Sequence, residues 1–115
     1  MPSPVIDAEA FAALRDTTGS EFVRELVDTF LTEAPSMLED LRVSLADGDA
    51  ERFRRAAHSL KSNGNTFGAL ALGTLARDLE LAGVSDVKSR GTQALAPIEA
   101  EYLRVAAALA VLRDE

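Results

Sequence analysis

The stretch AAHSLKSNGNTFGA, residues 56–69, starts as a helix and finishes as a turn. Ala56, Ala57 and Leu60 recur at helical spacing behind Phe53, whereas Asn63, Gly64, Asn65, Thr66 and Gly68 are types that favour helix ends. On a helical wheel, Phe53, Ala56, Ala57 and Leu60 form one face, and that face is the core side. His58, the single histidine of the chain, falls roughly 150° from the centre of that face. Arg54, Lys61, Ser62 and Asn65 share its side of the helix. Gly64 falls on the inner side, where a missing side chain allows a neighbouring helix to come close.

Upstream, Asp49 caps this helix and Asp47-Gly48 closes the preceding one. That preceding element reads from Ser20 as its cap, with Phe22, Leu26, Val27, Phe30 and Leu31 inward, followed by Met37, Leu38, Leu41 and Leu45. Pro35 interrupts it and suits either the first turn of a new helix or a kink in a long one. Asp7 caps a short first helix over residues 8–15, with Phe11 and Leu14 inward and a turn at residues 16–19. Residues 1–6, with two prolines, read as an extended N-terminal arm, and residues 7–113 as one domain.

Downstream, residues 69–82 form a helix with the stripe Leu72, Leu75, Ala76 and Leu79, stopped by Gly83. A last helix is expected from near Asp86 to Arg113, weakened early by Gly91 and kinked or restarted at Pro97. Its stripe is Ile98, Tyr102, Val105, Leu109 and Leu112. No strand-like alternation, repeat or low-complexity tract is present. The expectation is an all-α protein: an antiparallel four-helix bundle with a short extra N-terminal helix packed against one end.

Composition narrows the function. A chain of 115 residues is one domain's worth. With no cysteine, disulfides, thiolate chemistry and Cys-ligated metals are excluded. A formal net charge of -7 argues against nucleic acid as a partner, because phosphate backbones need a basic footprint. The first ten residues lack the basic and apolar regions of a signal peptide, and no apolar run is long enough to span a membrane. A cytoplasmic, monomeric protein is the expectation. One histidine with scattered carboxylates has no metal-ligand spacing, so no metal and no cofactor of its own is expected. A Ser-His-Asp hydrolase lacks its nucleophile elbow here.

Taken alone, an exposed histidine is an ordinary surface residue. A neutral imidazole among cations also suits nucleophilic attack on phosphorus. Lys61, with Arg54 or Arg55, could offset the phosphoryl charge, and small Ser62 one turn on leaves room for another protein to approach.

These residues carry a family resemblance. The run His58-Ser59-Leu60-Lys61-Ser62 through Phe67-Gly68-Ala69 resembles the histidine-containing phosphotransfer (HPt) domain, whose pattern is His-x-Leu-Lys-Gly, small residues, an apolar residue and Gly-Ala. Ile6-Asp7, Phe30-Leu31, Ala34-Pro35, Gly48-Asp49 and Leu79-Glu80 fit as well, so the likeness runs from about Val5 to Leu112. Ser62 departs from the usual glycine; it stays small and adds a hydroxyl that could reach a phosphoryl oxygen.

The resemblance implies that His58 takes a phosphoryl group on Nε2 from a receiver-domain phospho-aspartate and passes it to another receiver aspartate. Lys61 would sit beside that group. Glu80 would hold Nδ1 and fix the tautomer. Mg²⁺ would belong to the receiver. The domain would have no autokinase activity, and a hybrid sensor histidine kinase is an implied partner or parent chain; a stand-alone protein is slightly favoured. Docking would use an apolar patch, with Phe11, Leu14, Phe22 and Phe67 as candidates, although core burial is the better reading for the aromatic ones. The other open reading is a phosphorylation-independent helical module that binds a receiver or a partner helix.

Overall fold

The computed structural model describes residues 5–115, and the first four positions of the expected arm lie outside the described residues. Five helices follow in order: α1 Ala8–Thr18, α2 Ser20–Asp47, α3 Ala50–Thr66, α4 Leu70–Ser89 and α5 Ala96–Leu112. Helices α2 to α5 form the antiparallel bundle. The most extensive pairing is α3 with α4, followed by α2 with α3. Helix α1 packs on α2 and α3 across one end. Ile6, just ahead of it, is buried and Val5 packs against the core.

Local chemistry sets these boundaries. The Asp7 carboxylate accepts from Ala10 N at 3.1 Å and the Asp49 carboxylate accepts from Arg52 N at 3.1 Å, so both expected aspartate caps are in place. Gly48 ends α2 in the left-handed conformation at φ 72°. Pro97 opens α5 within its first turn, which settles its role as a restart.

Three expected boundaries are corrected. Helix α1 runs on to Thr18, so the turn is reduced to Gly19. Gly19, at φ 94°, takes the cap position of α2, and Ser20 is its first helical residue without a capping bond. Of the two places the sequence allowed Pro35, the structure takes the one within a long helix: it lies inside one continuous α2, on the exposed face. The last helix is divided: Gly83 breaks α4 at φ 83°, a short helical stretch runs to Ser89, and residues 90–95 turn the chain into α5.

The core runs the length of the bundle. On α2 the buried stripe is Val23, Val27, Phe30, Ala34, Leu38 and Leu41. Phe22, expected inward, is 49% exposed, and its neighbour Val23 takes the inner position. Phe30 is the hub. Its ring lies 5.5 Å from that of Phe67 and 6.0 Å from that of Tyr102, tying α2 to the α3–α4 turn and to α5. Ion pairs stitch the outside, with Arg52 on Asp40 at 2.6 Å and Arg113 on Asp28 at 2.7 Å.

Candidate functional site

His58 sits midway along α3 because Phe53, Ala56, Ala57 and Leu60 hold the opposite face in the core. Its side chain is 54% exposed. Glu80 comes from α4, where Leu72, Ala76 and Leu79 turn inward and leave Glu80 at the edge facing α3.

Close helix packing brings the two together. A Cβ built on Gly64 would stand 3.3 Å from both Ala69 O and Gly73 N, and one on Gly73 would overlap the Asn65 amide. Backbones can therefore approach here as larger residues would not allow. The α3–α4 turn is equally tight. Gly68, at φ 79°, lies against Ala10 and Asp7, and its carbonyl accepts from Asp7 N at 2.8 Å. The entry to α1 is thereby fastened beside the end of the His58 helix.

His58 Nδ1 lies 3.0 Å from Glu80 Oε2. Lys61 Nζ lies 2.8 Å from Oε1 of the same carboxylate, a buried oxygen with no hydrogen-bond partner apart from that ion-pair contact. Glu80 is only 15% exposed. Its carboxyl is held below the ordinary carboxylate range chiefly by the hydrogen bond from the Lys61 ammonium; burial opposes this, and the His58 ring adds a lesser lowering effect. A carboxylate on Nδ1 favours the tautomer with its proton there, which leaves the Nε2 lone pair outward. Nε2 has no partner among the described residues. The arrangement is an exposed nucleophilic nitrogen, oriented from behind by an anion that a lysine keeps charged.

The sequence model of the Hpt domain matches residues 25–115. The chain belongs to the Hpt domain family. The crystal structure of histidine-containing phosphotransfer protein B (HptB) from Pseudomonas aeruginosa PAO1 is similar, with a TM-score of 0.81 and 27% sequence identity over 98% of this chain and 97% of that one. A comparison with curated proteins gives no match. As an Hpt domain, the chain is a histidine phosphotransfer module of phosphorelays, not a kinase, and its partner class is the receiver domain. No helix among the described residues is long and apolar enough to cross a membrane.

Within this Hpt domain, His58, Lys61 and Glu80 meet at one point, and exposed Ser62 stands one turn from His58 on the same helix. The apolar docking candidates separate: Phe11 and Phe67 are core, Leu14 is half-buried, and Phe22 alone stands well exposed. The Lys61–Glu80 pair went unforeseen. A wheel of each helix gives its faces but not the register between them. Once His58 and Glu80 are paired, antiparallel packing brings Lys61 one turn along to the other carboxylate oxygen. Arg77, one turn before Glu80 and exposed, was likewise not singled out.

Proposed function

We propose that His58 Nε2 accepts a phosphoryl group from the phospho-aspartate of one receiver domain and delivers it to the aspartate of another. The observation that carries this reading is the 3.0 Å contact between His58 Nδ1 and Glu80 Oε2, with Nε2 left open. The Nε2 lone pair attacks phosphorus, the N–P bond forms, the acyl phosphate P–O bond breaks and the aspartate leaves as a carboxylate. No proton has to move, because Nδ1 keeps its own. The ring becomes cationic and Glu80 offsets that charge. Lys61 holds Glu80 ionised and is near enough to share in balancing the incoming phosphoryl charge. Ser62, small and exposed, leaves the approach open. This chain supplies the nucleophile, and around it positioning and electrostatics. Mg²⁺ is assigned to the receiver, and a hybrid sensor histidine kinase is the proposed source of the donor receiver.

The test is phosphate transfer from a panel of radiolabelled receiver domains to the wild type and to His58→Gln. Acid-labile, base-stable label on the wild type alone is the expected result, with unchanged helix content in the variant because His58 lies off the core. Label on His58→Gln overturns the assignment. Tight receiver binding with no label on either chain would favour the phosphorylation-independent module.

A further inference from the structure

The cations of this acidic chain are not spread evenly in their engagement. Of its twelve lysines and arginines, only Arg54, Arg55 and Arg77 have no hydrogen-bond or ion-pair partner among the described residues. All three stand within about one helical turn of His58 or Glu80. The carboxylate nearest in sequence on α3, Glu51, pairs with neither Arg54 nor Arg55 although the spacing would permit it. Arg55 turns to the α2 side, beside Arg52 and Asp40. Arg54 lies on the His58 face of α3, and Arg77 lies on the outward side of α4 next to Glu80. Leu81 follows Arg77 one turn on and is 72% exposed.

Free arginines so placed have a cost. They forgo local ion pairs in a chain whose net charge of -7 offers many. They gain if an anionic partner arrives. A partner site that holds Mg²⁺ does so with carboxylate oxygens and presents a negative rim around its aspartate. At long range a partner meets the net charge of -7 of the whole chain. Once the surfaces are closer than a Debye length, about 8 Å at physiological ionic strength, the partner senses the local arginines more than the distant acidic faces. We infer that Arg54 and Arg77, flanking Leu81, form a docking rim on the α3–α4 side of His58 that selects receiver domains whose phospho-aspartate is ringed by carboxylates. The inference rests on His58 being the phosphoryl acceptor and adds which surface chooses the partner.

The experiment compares the full chain with Arg54→Glu/Arg77→Glu and the neutral Arg54→Gln/Arg77→Gln. The probe is the radiolabelled receiver that labels the wild type fastest, used in single-turnover transfer over a range of receiver concentrations. At about 0.1 M salt the charge-reversed pair should lower the second-order rate constant about tenfold, and the neutral pair by less. At about 1 M salt, where the Debye length shrinks to about 3 Å, the three proteins should converge. A gap of the same size at both salt concentrations, or no gap at either, overturns the docking rim while His58 labelling stands. A loss confined to the plateau rate at saturating receiver also overturns it, since that would place the arginines on the phosphoryl group. If the wild type takes no label from any receiver, the phosphotransfer reading falls and the rim with it, a result distinct from the others.

Discussion

One carboxylate, Glu80, serves two neighbours through its two oxygens, so its charge matters as much as its position. In Glu80→Gln the amide oxygen can still accept from Nδ1–H, but Lys61 loses its counter-charge. Phosphate transfer from a given receiver should slow on the order of tenfold, the usual scale for removing an orienting partner, and the labelling assay checks this. The same group makes stability depend on pH. Its folded pKa is depressed below the ordinary 4.5, so its contribution is present above that value and is lost as the pH falls through the lower folded value. Melting of the wild type should therefore drop further than that of Glu80→Gln between neutral pH and about pH 3. His58 was legible from its place opposite the apolar face of α3. Glu80 was legible through the family resemblance, with the wheel only allowing it. The Lys61 contact was not legible, since it depends on how α3 and α4 are set against each other.

At the scale of elements, the turn between α3 and α4 is the most demanding feature. Gly68→Ala would force a side chain into a left-handed conformation and to 3.0 Å from both Ala10 Cβ and Asp7 O. A loss of about 1–3 kcal/mol is expected, read as a lower denaturant midpoint. Most boundaries written in side-chain chemistry were legible, the Asp7 and Asp49 caps and the Gly48 stop among them, whereas Ser20 proved not to be a cap and Pro97 stood open between a kink and a restart. Boundaries set by tertiary packing were not legible. Val23 and Phe22 are adjacent apolar residues, and local spacing alone could not choose between them. The buried stripe passes through Ala34 and continues beyond Pro35, a residue whose local preference argues for an interruption. The proline is tolerated because it points outward.

For the molecule as a whole, one continuous core holds the histidine helix in place. Leu79, 3% exposed and adjacent to Glu80, belongs to it. Leu79→Ala should cost about 2–5 kcal/mol by urea unfolding, with the denaturant slope unchanged if the bundle still unfolds in one step. The all-α architecture was legible because nearly every stripe keeps a helical period. The roles of the aromatic residues were legible only in part: core burial was the favoured reading and holds for Phe11 and Phe67, but spacing did not single out Phe22 as the exposed one. The close approach at Gly64 and Gly73 has a consequence for how such a chain can vary over descent. An added residue between His58 and Gly64 would swing the imidazole about 100° around α3 and carry it about 1.5 Å along the axis, out of reach of Glu80. Whatever side chains the outer face carries, the count of residues from His58 to the glycine contact has to stay constant for the imidazole to reach Glu80.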